Sequence, residues 1–230
     1  MESQGRLDIE LACAYVRGVS LRCQSPALPK ALLQKPLCSL TVDECEQLLK
    51  AGQDANLKLY RFKNHADLPR VRKVLSFLKG VYPQNLLDVG SGRGVFLFPF
   101  LHEFPTTPVT SVDLLPHRVE LLKDISLGGV TRLTAEMLDI CTGTLPEKAF
   151  DAVTLLEVLE HIPDVEAAVR AAVRLAKRCI IVTVPSKPDN NPEHIHLLTK
   201  DKLADLFIRA GCSNLRFDGV NGHLFMTVHV

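Results

Sequence analysis

Residues 86–101 read LLDVGSGRGVFLFPFL, and the rest of the chain is organised around them. A short apolar run, Leu86-Leu87-Asp88-Val89, meets Gly90-Ser91-Gly92-Arg93-Gly94 before apolar residues resume. The pattern predicts a buried strand, a tight glycine turn and the start of a helix. Glycine lets the backbone pass close to a ligand, and a helix N-terminus offers N–H groups without helical partners. Asp88 sits two residues before the first glycine, at the lip of the turn. A carboxylate there repels a pyrophosphate, which counts against the dinucleotide use of such turns. It suits a ligand that carries positive charge.

The pattern D-x-G-x-G-x-G over residues 88–94 resembles motif I of the class I S-adenosylmethionine-dependent methyltransferases. Their cofactor has an ammonium group and a sulfonium. The resemblance implies that Asp88, Gly90, Ser91 and Gly92 hold its methionine part. A loop that merely turns a strand into a helix is the alternative reading of this stretch, so the remaining motifs decide.

A chain of 230 residues suits one α/β domain with an extension, and 47% hydrophobic residues suffice for a sizeable core. No apolar run reaches the length of a membrane span. The first ten residues, MESQGRLDIE, are polar and acidic and lack a signal-peptide pattern. The seven cysteines form no C-x-x-C pair, so reduced thiols and a cytoplasmic location are expected rather than a zinc ribbon or a disulfide framework.

Residues 1–67 match no motif and read as a small helical extension to a 68–230 catalytic domain. Leu7 to Val19 suits an apolar-rich helix, and Pro26, Pro29 and Pro36 interrupt the next stretch. Thr41 with Glu44 three residues later forms a capping box that starts another helix. The net charge of +1 hides an asymmetry, because Lys58 to Lys79 holds seven basic residues against Asp67 alone. There Asp67 is expected to cap a helix with Pro69 in its first turn and Val71, Val74, Leu75 and Leu78 on one face. The basic residues form either a solvated flank or a patch for a phosphate-bearing or RNA substrate.

After the glycine turn, Val109 to Asp113 reads as a second strand ending in an acid, 23 residues after Gly90. A carboxylate there can grip two ribose hydroxyls at the carboxyl edge of a parallel sheet; Leu114 beside it joins the cofactor set. The third strand covers Val130 to Ala135. By the resemblance, Glu136 faces the adenine amino group and Met137 lies beside the ring, with Asp139 as the competing acid. Phe150 to Leu156 and Cys179 to Val184 are further buried strands, separated by an alanine-rich helix. Lys200 to Ala210 is helical, and two final strands join through Asn221-Gly222, a hairpin signal. Strands alternating with helices predict an α/β fold with a parallel sheet wound on both faces. The resemblance sharpens this to a Rossmann-like, seven-stranded, mostly parallel sheet with an antiparallel C-terminal hairpin strand.

The segment after the fourth strand, Glu157-Val158-Leu159-Glu160-His161-Ile162-Pro163, shares the sheet's carboxyl edge with the loop Pro185 to His196. Two carboxylates and two or three imidazoles should therefore converge. In one reading Glu157 helps hold the cofactor, and His161, His194 or His196, with Glu160, handles the proton of a small-molecule hydroxyl or amine. Small-molecule O-methyltransferases such as those of quinone biosynthesis carry a similar E-V-L-E-H-[VI]-P stretch. In a second reading Glu157, Glu160, His161 and His194 bind a divalent metal. This resembles the bacterial small-RNA 3′-terminal 2′-O-methyltransferases, in which a metal grips the terminal hydroxyls, although no F-E-W-T follows His194. In a third, His161 shapes the loop and orientation alone drives transfer. A non-catalytic module that binds the cofactor or a partner, and a nicotinamide-dependent oxidoreductase, are the readings outside this class.

Overall fold

The computed structural model describes residues 7–188 and 190–230. Seven strands form one sheet in the order β3-β2-β1-β4-β5-β7-β6. They are β1 (Leu86–Val89), β2 (Val109–Asp113), β3 (Leu133–Met137), β4 (Phe150–Leu156), β5 (Ala176–Pro185), β6 (Asn214–Val220) and β7 (His223–His229). The first five run parallel, and β7 lies antiparallel between β5 and β6. Asn221 and Gly222 both take positive φ, which makes the tight turn that sets the β6–β7 register of Val220 against His223. The sequence expectation of a doubly wound, mostly parallel sheet with a closing hairpin matches this topology.

The helices are α1 (Ile9–Cys23), α2 (Lys30–Gln34), α3 (Val42–Asp54), α4 (Pro69–Val81), α5 (Leu97–Glu103), α6 (Pro116–Leu127), α7 (Val165–Leu175) and α8 (Lys200–Arg209). Among the described residues, no helix is long and apolar enough to cross a membrane. Alternation along β1 divides the core between two faces. Leu86 packs with α1, α4, α5 and α6, whereas Leu87 and Val89 pack with α7 and α8. The Thr41–Glu44 capping box forms at the start of α3. The cap of α4 differs from expectation: Leu68 holds the N-cap position without a side-chain bond, since Pro69 already supplies the first helical residue.

Residues before α4 share the main core rather than lying outside it. Leu11, Ala12 and Val16 of α1 pack in one cluster with Leu86 and Phe98. Helices α1 and α6 meet at glycines: a Cβ on Gly18 would fall 1.8 Å from the backbone oxygen of Asp124, and one on Gly128 would fall 1.7 Å from that of Ala14. The Arg22 guanidinium closes the crossing with a two-pronged bond to the buried Asp124 carboxylate, at 2.7 and 2.8 Å.

Strand order reverses at β1, with β2 on one side and β4 on the other. Such a switch point leaves a crevice beyond the carboxyl ends of the strands. In this chain the crevice is a cleft over the glycine turn.

Candidate active site

The turn after β1 is built on backbone that only glycine tolerates well. Gly90 takes φ +68, and a Cβ there would meet Val158 Cγ2 at 2.5 Å. Gly92 takes φ +57, and its nearest neighbour would be 3.8 Å away, so its open side faces the crevice. Beneath the turn, Asp88 stands in register with Ser111 on β2 and Thr154 on β4. The Thr154 hydroxyl donates to Asp88 Oδ1 at 2.7 Å, and the Ser91 hydroxyl donates to Oδ2. Burial pushes the Asp88 carboxyl up to about 6; the two hydroxyls oppose that rise and Asp113 adds to it.

Two cavities open on this turn. The smaller, about 160 Å³, is lined by Asp88, Ser91, Arg70, Arg93, Thr183 and apolar residues of α4. The larger, about 770 Å³, runs past Asp113, Leu114, Arg118, Asp139, Ile140, His161 and Pro163. Gly90, Gly92 and Glu157 line both. Asp113 is buried and its Oδ1 accepts from Leu115 N at 2.9 Å, while Arg118 and Gly92 N reach Oδ2 at 3.4 Å. This fixes the carboxylate at the end of β2, beside the cleft.

The end of β3 differs from expectation. Ala135 faces the core, so alternation turns Glu136 to the exposed face of this edge strand, and Met137 is 63% exposed. Neither lines the cleft. The wall there is made by Leu138 to Thr142, where Asp139 Oδ1 accepts from Cys141 N at 2.8 Å. Asp139, the competing acid recognised in the sequence, lines the larger cavity.

Beyond β4, the chain makes a short turn over Leu159–His161. Glu160, His161 and His194 each offer a ligand atom within 4.8 Å of the others. The His161 and His194 rings meet edge to face, with centroids 4.7 Å apart. His161 Nδ1 lies 2.9 Å from the Glu193 carbonyl oxygen. A carbonyl only accepts, so Nδ1 is the donor in this bond, which makes Nε2 the lone-pair nitrogen of the neutral ring. Two expected members are placed elsewhere. His196 Nε2 donates to the Ile162 carbonyl at 3.0 Å and the ring is not among the residues lining either cavity, so it braces the loop. Glu157 stands apart from the three clustered donors, with Oε2 2.9 Å from His223 Nδ1. It therefore leaves the candidate metal set. His223 and Thr154 escaped the sequence reading because each comes from an element far along the chain from the residue it meets.

A family model for a methyltransferase domain matches residues 60–216. The chain belongs to the methyltransferase-domain family. Its fold is that of the class I S-adenosylmethionine-dependent methyltransferases. The ubiquinone biosynthesis O-methyltransferase of Sodalis glossinidius is 31% identical over 116 residues, which is 50% of this methyltransferase and 45% of that protein. The chain thus matches less than half the length of that relative. A solved methyltransferase domain of bacterial CtHen1 aligns with TM-score 0.57 at 18% identity, over 70% of this chain and 98% of that one. The structure of PigF with SAH aligns with TM-score 0.57 at 17% identity, over 70% and 54%. At these identities the two structures show a shared fold.

The methyltransferase cleft fits S-adenosylmethionine on its own chemistry. One buried carboxylate and two guanidiniums in the smaller cavity match the two charged ends of an amino acid. Arg70 and Arg93 make no hydrogen bond or ion pair among the described residues. Glu157 Oε1 is buried without a hydrogen-bond partner at the junction of the cavities.

Proposed function

We propose that this methyltransferase transfers a methyl group from S-adenosylmethionine to an oxygen or nitrogen nucleophile of a small-molecule acceptor. Asp88 takes the ammonium, Arg70 and Arg93 the carboxylate, Asp113 with Leu114 the ribose, and Asp139 the adenine end. When bound, the cofactor supplies an electrophilic methyl group. The observation that carries the reading is His161, which lines the larger cavity with Nδ1 committed to the Glu193 carbonyl. Its Nε2 can take the proton that leaves the acceptor as the methyl arrives. Glu160, buried beneath it, stabilises the imidazolium that results. The ubiquinone biosynthesis relatives support an oxygen acceptor. The seven free cysteines support a reducing, cytoplasmic setting.

A second reading rests on the same three side chains. Glu160, His161 and His194 form a mixed carboxylate–imidazole set that suits Mn²⁺ or Zn²⁺. Such an ion would acidify the terminal hydroxyls of an RNA 3′ end, the reaction suggested by the resemblance to small-RNA methyltransferases. The basic Lys58–Lys79 stretch gives this less support than its charge implies. Lys73 pairs with Asp218, Lys79 with Glu103, and Arg70 turns to the smaller cavity.

Labelled S-adenosylmethionine incubated with phenol and amine pools, and separately with RNA ends, each with EDTA or Mn²⁺, tests both. Turnover of a small acceptor that survives EDTA and falls in His161→Ala supports the first reading. Mn²⁺-dependent labelling of RNA ends, lost in Glu160→Ala, replaces it with the second. Binding without turnover on any pool, with a stable protein partner, points to a non-catalytic module.

A further inference from the structure

Glu157 occupies a position that the proposed reaction does not yet use. It is the ionisable residue that lines both cavities among the described residues. Its backbone takes φ +56, a left-handed conformation unusual for a side chain with a Cβ. Its amide is tied to the Thr183 carbonyl at 2.9 Å, which fixes it at the end of β4. Of its two carboxylate oxygens, Oε2 lies at ion-pair distance from His223 Nδ1, 2.9 Å, without forming a hydrogen bond, and Oε1 is buried without a hydrogen-bond partner. A buried, unpartnered carboxylate oxygen costs free energy unless a ligand completes it.

S-adenosylmethionine is an amino acid joined to a nucleoside through a sulfonium. A molecule with its amino-acid end in the smaller cavity and its nucleoside in the larger must carry the joining atom through their junction. We infer that Glu157 and His223 recognise the sulfonium charge, with Glu157 as the contact and His223 as its positioning residue. The charge exists in the methyl donor and is absent from the product thioether. The pair therefore favours substrate over product by electrostatics, and eases product release after each transfer. His223 enters from β7, opposite Pro185 of β5, so the closing hairpin supplies the second half of the pair. This inference rests on the cofactor reading above.

The test is calorimetric titration of the full chain with S-adenosylmethionine, S-adenosylhomocysteine and an analogue bearing an amine in place of the sulfonium. In the wild type the two charged ligands bind more tightly than the thioether. In Glu157→Gln the preference for charge falls roughly tenfold, as expected for one charge pair at a partly buried site. His223→Asn keeps a polar side chain beside Oε2 and retains the preference, whereas His223→Leu loses much of it. A wild type that binds the amine analogue no better than the thioether overturns the inference without any variant. So does an unchanged preference in Glu157→Gln or, should that variant not fold, in His223→Leu. Failure of all three ligands to bind the wild type overturns the cofactor reading itself, which separates the two claims.

Discussion

Asp88 and Thr154 stand side by side across the β1–β4 pair, and the Thr154 hydroxyl donates to Asp88 Oδ1 at 2.7 Å. The carboxyl is nevertheless raised from 3.8 to about 6, because burial outweighs its two hydroxyl donors. An acid raised in the fold is favoured there in its protonated form. The fold therefore carries no penalty from Asp88 below about 3.8, and the full penalty once pH exceeds about 6. At pH 7 the penalty is about 3 kcal/mol at most. Asp88→Asn should thus stabilise the ligand-free protein at pH 7 while weakening S-adenosylmethionine binding. Urea denaturation beside a binding titration checks both.

The same carboxyl gives the binding its pH dependence. Only the ionised form attracts an ammonium, so affinity should fall about tenfold between pH 7 and pH 5. Above pH 7 Asp88 contributes no further change. A calorimetric series across this range reads the fall, and in Asp88→Asn that part of the slope should vanish.

The α1–α6 crossing predicts that the helices before α4 fold together with the rest of the chain. Gly18→Ala drives a methyl group into the Asp124 carbonyl and should destabilise the whole protein by about 1–3 kcal/mol or more. Chemical denaturation should show one transition shifted as a unit. Two transitions, with only the first moved, would mean that the helical extension folds separately.

His102 on α5 bonds through Nε2 to Asp8, which also caps α1 by accepting from Leu11 N. The Asp8 bond, against the opposing effect of burial, holds the His102 imidazole above its ordinary value. A raised base stabilises the fold fully below its unfolded value near 6.5, and the gain fades as pH climbs through the folded value. The partly exposed ring limits this to below about 1 kcal/mol. Thermal melts should show a modest loss of stability above neutral pH that His102→Leu abolishes.

The sequence disclosed what repeats or recurs locally. Alternating strands and helices gave the wound sheet, D-x-G-x-G-x-G gave the turn, and Asn221-Gly222 gave the hairpin. Short-range chemistry fixes each of these. Pairings between distant elements were hidden: Glu157 with His223, Arg22 with Asp124, and the glycines of α1 against α6. The loop role of His196 was hidden for the same reason, since its bond to the Ile162 carbonyl joins two loops 34 residues apart.

Calorimetric titration of S-adenosylmethionine into the wild type and Asp113→Ala tests the cofactor site most directly. One site of micromolar affinity is expected, weakened about tenfold or more when the buried carboxylate at the end of β2 is removed. A wild type that gives no binding, or an Asp113→Ala protein that binds equally well, would contradict the assignment of this cleft to the methyl donor.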